Sequence, residues 1–202
     1  EENKEMEFWT QEEFQAFLEC VADKPISYYA FEILYWTGIR EGELLALTPA
    51  DFNFEKKTLR INKSYQRLEG KDVITDPKTP KSNRTIVMPD FLAVEMENFI
   101  SSLYGIRDDD RIFTISKSYL HHEMDRGAKL AGVKRIQIHG LRHSHISLLI
   151  NLEFSALAIG ERVGHEAVDI TYHYAHLFPT VQTDMAAQLE TEREALVNVR
   201  KK

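Results

Sequence analysis

The chain has 202 residues, 43% of them hydrophobic, and a formal net charge of -7 at pH 7, enough apolar material to bury a core as one domain. Its long apolar run near the N-terminus, "ISYYAFEILYWTGI", is interrupted by Glu32, is too short for a bilayer span and lacks signal-peptide architecture, and the one cysteine, Cys20, cannot form an internal disulfide. A soluble cytoplasmic protein with no membrane partner is expected.

Elements follow in chain order. "TQEEFQAFLECVAD" opens with Thr10 and places Glu13 three residues later, a capping box, then sets Phe14, Phe17, Leu18 and Val21 at helical spacing. Pro25 starts a second helix, "ISYYAFEILYWTG", that is hydrophobic on most sides and closes at Gly38, a residue suited to a left-handed terminus. "EGELLAL" resumes a helix after Arg40, and Thr48-Pro49 forms a capped short turn. Alternation then replaces helical periodicity in "TLRINKSYQRL", "KDVIT" and "RTIVMP", which predicts a small antiparallel three-stranded sheet with a turn at Glu69-Gly70 and a longer loop across "DPKTPKSN". From Asp90 the pattern is helical again: "DFLAVEMENFISSLY", "SYLHHEMDRGAKLAG", "HGLRHSHISLLINL", "ALAIGERVG" capped by Ser155, and a helix running toward Pro179. Residues 180–202 read as a polar helical tail. The expected fold class is α+β, mainly helical, with one small sheet.

The negative total charge argues against a polyanionic partner, but its distribution does not. Residues 1–19 hold seven acids against Lys4 alone; positions 56–87 hold nine basic and three acidic side chains; Arg126 to Arg142 hold five basic and none acidic. Two positive surfaces are therefore expected on an acidic protein.

Four motifs stand out. "TGIREGELLAL" puts Arg40 just past a helix-ending glycine, where it either serves a ligand or pairs with Glu43. "DPKTPKSNRTIVMP" puts Lys78 in a proline-flanked loop. "HGLRHSH" sets His139 and Arg142 on one helical face, followed by His143 and His145; these histidines raise a zinc hydrolase as a rival, although the HExxH spacing is absent. "VGHEAVDITYHYAHLFP" places His165 nine residues before Tyr174.

In order and wording these motifs together resemble the tyrosine recombinases, the phage-integrase family, of the kind found in prophages and conjugative transposons. The resemblance covers residues 10 to about 179 and implies a catalytic domain over 1–179, with 180–202 as a helical tail that is exchanged between subunits or packs in cis. It implies a catalytic-domain fragment, or a protein that borrows that domain, because a separate DNA-gripping domain normally precedes this one. It further implies site-specific recombination of a mobile element by metal-free strand cleavage through a 3′-phosphotyrosyl intermediate, with no cofactor. The implied roles are Arg40 and Arg142 on nonbridging oxygens, His165 as a further donor, His139 as base, Lys78 as acid toward the 5′ oxygen, and Tyr174 as nucleophile. Tyr172, two residues away, projects about 200° from Tyr174 on a helix, so only one of them can face a phosphate.

Duplex DNA is the implied partner, held by homo-tetramers on paired sites that are monomers without DNA, with accessory DNA-bending proteins a further expectation. The cations expected to grip it are Lys57, Arg60, Lys63, Arg67, Lys71, Lys81, Arg84, Lys129, Lys134 and Arg135, with affinity falling steeply with salt. The alternatives are a type IB topoisomerase-like activity and a non-catalytic DNA-binding module.

Overall fold

Thr10 and Glu13 close the expected reciprocal cap in the computed structural model, which describes residues 6–76, 82–165, 167–177, 186 and 189–191. The Glu13 amide donates to Thr10 Oγ1 at 3.3 Å and the Thr10 amide to Glu13 Oε2 at 2.9 Å. Helix α1 (Gln11–Val21) follows and buries Phe14, Phe17, Leu18 and Val21. Pro25 begins α2 (Pro25–Thr37), and Gly38 ends it at φ 65°, where a side chain would be strained. A Cβ at Gly38 would also lie 2.6 Å from His145 Cδ2, so the turn is closed against the segment that carries His145. Next come α3 (Glu41–Ala46) and a 3-10 turn (Pro49–Asp51) held by Asp51 accepting from the Thr48 amide at 2.9 Å.

The strands are β1 (Phe52–Asn53), β2 (Thr58–Ile61), β3 (Ser64–Leu68), β4 (Lys71–Thr75) and β5 (Arg84–Val87). The mainly helical α+β class holds, but the strands divide differently from the expectation of one sheet. β1, β2 and β5 form an antiparallel sheet in the order β1-β2-β5, and β3 with β4 forms a separate hairpin. The segment "TLRINKSYQRL" breaks at Asn62-Lys63, where Lys63 turns in to neutralise the buried carboxylate of Asp51, an interaction alternation does not encode. The hairpin turns at Glu69 and Gly70, both at positive φ, and lies on the start of α3, where Gly42 leaves room: a Cβ there would meet Ser64 Oγ at 2.5 Å.

The remaining helices are α4 (Asp90–Ser102), α5 (Lys117–Ala131), α6 (Ile138–Asn151), α7 (Ala156–Val163) and α8 (Ala167–Tyr174), followed by a 3-10 turn (Ala175–Leu177). α2 is the central helix and packs on α1, α4 and α6. α1 also lies against α5, and Gly127 permits the approach, since a Cβ there would sit 2.4 Å from Phe17 Cε2. One large core joins α1 to α5, the three-stranded sheet and the start of α6; a smaller one joins Ile146 and Ile150 of α6 to Ile159, Val163, Ile170 and Tyr174. Among the described residues no helix is long and apolar enough to cross a membrane. Of the expected tail over 180–202, only residues 186 and 189–191 are described, and they are helical. The rest of it lies outside the described residues.

Candidate active site

Gly38 sets the site. Its left-handed turn directs α2 into α3, so that Arg40 stands at the N-terminal cap of α3 and the Gly38 carbonyl points at α6. Arg142 of α6 answers from the other side: Nη1 donates to the Gly38 carbonyl at 2.6 Å and Nη2 to the carbonyl of Val163, the last residue of α7. The Arg142 side chain is 1% exposed, and its Nε has no hydrogen-bond partner among the described residues. Carbonyls orient the guanidinium but do not cancel its charge, unlike carboxylates. Burial first, then the nearby guanidinium groups of Arg40 and Arg84, bring its pKa down to about 9.

Glu43 supplies the local counter-charge. It accepts from the Arg40 amide at 2.8 Å and from Arg40 Nη1 at 3.1 Å, so the pairing weighed from the sequence is real, yet the Arg40 side chain remains 35% exposed. Arg84, expected among the DNA-facing cations, is instead buried: Nη1 and Nη2 each reach a Glu43 oxygen at 3.0 Å, and Nε donates to the Arg162 carbonyl at 2.9 Å. Its inward-facing place in β5 explains the correction, because a charge there must be paired. Burial alone would raise the Glu43 carboxyl, but Arg84 and Arg40 outweigh it and hold the group below its usual range. Arg162 extends the scaffold, with Nε donating to His145 Nε2 at 3.0 Å and Nη1 to the Val87 carbonyl at 3.0 Å.

Arg40, His139 and His165 open onto one cleft of about 1300 Å³. His165 follows Gly164, a left-handed residue, and its amide donates to the Gly160 carbonyl at 2.9 Å. Desolvation, then Arg142 and Arg40, lower its pKa to about 4; the same causes in the same order lower that of His139. Both imidazoles are therefore neutral near pH 7 and each keeps one N–H to donate. Lys63 and Arg67 also line the cleft, joined by Lys117, Ser118, His121 and Gln137, none of which the sequence singled out.

Of the remaining expected cations, Lys57 pairs with Asp90 at 2.9 Å, Arg60 with Asp51 at 3.5 Å and Arg135 with Asp125 at 2.8 Å. Lys71, Lys129 and Lys134 are exposed away from the cleft lining. Lys78 and Lys81 lie outside the described residues, although Asp76 and Ser82, which flank their loop, line the cleft.

Tyr174 stands behind the cleft. It is 3% exposed within the smaller core, and its hydroxyl meets His143 Nδ1, not His139. Burial raises its pKa, and the Arg142 charge lowers it by less. Tyr172, on the other face of α8, is 81% exposed. His143 was legible only as a candidate metal ligand; the signal for a different role was its place one helical turn after His139. Among the described residues no three His, Cys, Asp or Glu side chains converge to hold a metal.

The phage integrase family matches residues 7–180. The ICEBs1 integrase of Bacillus subtilis is 31% identical over 202 residues, covering 93% of this chain and 55% of that protein, so the chain spans about half the length of this curated relative. The Tn1549 transposon integrase in complex with a circular intermediate DNA superposes with a TM-score of 0.76 at 22% identity, covering 96% of this chain and 67% of that one. The catalytic domain of bacteriophage HP1 integrase does so with a TM-score of 0.64 at 20% identity, covering 91% and 95% respectively. These two likenesses carry the fold.

Proposed function

This chain belongs to the phage integrase family, and we propose that it breaks and rejoins duplex DNA at specific sites of a mobile element through a covalent bond between Tyr174 and the 3′ phosphate of the cut strand. One arrangement carries the reading. Arg40, His139 and His165 face a single cleft, the uncancelled charge of Arg142 lies behind it, and Tyr174 is near enough for its ionisation to feel that charge. DNA in complex with the Tn1549 integrase, which shares the fold, supports duplex DNA as the occupant.

In this reading the two guanidinium groups stabilise the extra negative charge of a pentavalent phosphorus, and the neutral imidazoles of His139 and His165 add donors. A free phenol near pKa 10 costs roughly 4 kcal/mol to ionise at pH 7, and burial adds to that at Tyr174. The attacking step therefore needs a proton acceptor at the hydroxyl and a movement of α8 toward the cleft. Releasing one large side chain from an apolar site costs about 2 kcal/mol, within what DNA contacts through Arg67 and Lys117 can offset. Lys78 is the proposed acid for the departing 5′ oxygen, supported by the cleft position of the residues that flank its loop.

The phosphotyrosyl bond keeps a reactive leaving group, so a 5′ hydroxyl from a second duplex reverses the step without ATP. Exchange of two duplexes takes four such tyrosines, hence a tetramer on paired sites, with residues 180–202 as the segment passed between subunits and a bacterial cytoplasmic setting. A nicked suicide duplex incubated in EDTA tests the reading. The protein should form a covalent adduct that Tyr174→Phe abolishes and Tyr172→Phe preserves; an undiminished adduct in Tyr174→Phe overturns the assignment.

A further inference from the structure

Among the described residues the Tyr174 hydroxyl has one hydrogen-bonding side chain against it, His143, on the helix that also carries His139 and Arg142. The rings form a line from the interior to the cleft. Tyr174 and His143 have centroids 5.9 Å apart, and His143 and His139 have centroids 4.8 Å apart in an edge-to-face arrangement at 87°. His139 lines the cleft; His143 is the next turn inward. We propose that His143, through Nδ1, is the group that takes the proton from Tyr174 during strand cleavage, leaving His139 to donate to the phosphate. This rests on the cleavage reading above.

Geometry and charge both favour it. An acceptor must lie within hydrogen-bond reach of the proton it removes, and His143 does before α8 moves, so the proton passes as the hydroxyl leaves for the cleft. With Nδ1 accepting, the neutral ring carries its proton on Nε2. Desolvation, then His139, Arg142 and His173, lower its pKa to about 4, so the ring is neutral and able to accept at working pH. The groups that face it are His139 and Arg142 on α6 and His173 and Tyr174 on α8. In the absence of DNA such a weak base leaves the phenol protonated, which guards against idle reaction. A phosphate entering the cleft offsets the repulsion from Arg142 and makes His143 more basic when the nucleophile is needed. The step balances. The O–H proton of Tyr174 passes to His143 Nδ1, a phenolic oxygen pair forms the bond to phosphorus, and the 5′ oxygen leaves with the other pair and takes a proton from the separate acid. Rejoining returns the His143 proton to the tyrosine.

Two readouts decide it. In cleavage of the nicked duplex, His143→Ala should slow adduct formation by about 10²- to 10⁴-fold with DNA affinity held within a few fold, and His143→Gln, whose amide oxygen accepts a hydrogen bond but not a proton, should be equally slow; recovery in His143→Gln would make the contact a positioning one and overturn the proposal. A 5′-bridging phosphorothiolate, which needs no acid at the leaving group, should rescue neither variant. Adduct formation as fast as or faster than the parent in His143→Ala would show that the contact only stores the tyrosine; rescue by the phosphorothiolate would make His143 an acid. Both overturn the proposal. The second readout needs no DNA: in an NMR titration, Tyr174→Phe should raise the His143 pKa by removing the donor that favours the neutral ring, and an unmoved titration overturns the pairing. A parent protein that makes no adduct would instead defeat the cleavage reading, with the titration still deciding the pair.

Discussion

Arg40 and Arg142 are anchored to a core of 33 buried apolar residues drawn mainly from α1 to α6 and the strands, whereas Tyr174 belongs to a second cluster of six from α6, α7 and α8, among the described residues. The charged half of the site is cross-braced through Gly38, Glu43 and Arg84. The half that carries Tyr174, the proposed nucleophile, is held among the described residues by aliphatic contacts and by the hydrogen bond to His143. The contrast separates two tasks. On the proposed reading, charges that stabilise a transition state do most when they need no reorganisation, while a nucleophile kept out of the cleft until DNA arrives must belong to a part of the fold that opens cheaply.

The largest expected effect tests the braced half. Arg142→Ala should lower the rate of adduct formation by about 10³-fold while changing DNA affinity by only a few fold, measured as single-turnover cleavage beside a binding titration. Equal losses would mean the guanidinium grips DNA rather than serving the reacting phosphorus.

Gly38→Val comes next. It imposes a left-handed conformation on a branched residue and drives its side chain into His145, so a denaturant midpoint should report a loss of about 3 kcal/mol. A near-neutral result would remove the turn from the list of braces.

Ile170→Ala addresses the other half. It should cost about 2 kcal/mol or more of local stability only: amide exchange across α8 should quicken by roughly 30-fold, with the amides of α1 and α2 unchanged. If exchange rises equally in α2, the two cores are one cooperative unit and the contrast fails.

The smallest effect is a pH slope, and its sign differs between regions. His143 and His165, lowered to about 4 in the fold against a usual 6.5, give stability that is complete above about pH 6.5 and lost as pH falls toward 4. Glu32 of α2 behaves oppositely. Burial first, then Glu95, raise it to about 7 from 4.5, so its contribution is complete below about pH 4.5 and lost as pH rises through 7. Melting temperature against pH should therefore fall on both sides of a maximum, and Glu32→Gln should flatten the alkaline side alone. An unchanged alkaline limb would deny that burial keeps Glu32 protonated above the usual carboxylate range.

Much of the scaffold was legible because its signals are local. The Thr10–Glu13 cap, the left-handed Gly38 and the Ser155 cap each depend on residues within a few positions. So does the pairing of His139 with Arg142 on one helical turn. What escaped depends on distant partners. Arg84 reads as one more cation in a basic stretch, and only the arrival of Glu43 from 41 positions away turns it inward. The break at Asn62-Lys63 needs Asp51 to be buried first. His143 takes its meaning from Tyr174, 31 positions on and brought near by the small second core. The sequence also placed Tyr174 and Tyr172 on opposite faces of a helix, and the structure has one buried and the other open to solvent.

The central claim is that Tyr174 is the residue that becomes bonded to DNA. Digestion of the trapped adduct and mass spectrometry of the modified peptide measure this directly. The expected product is a nucleotide attached through phosphate to the oxygen of Tyr174; attachment at Tyr172, or at any other residue, would contradict that assignment.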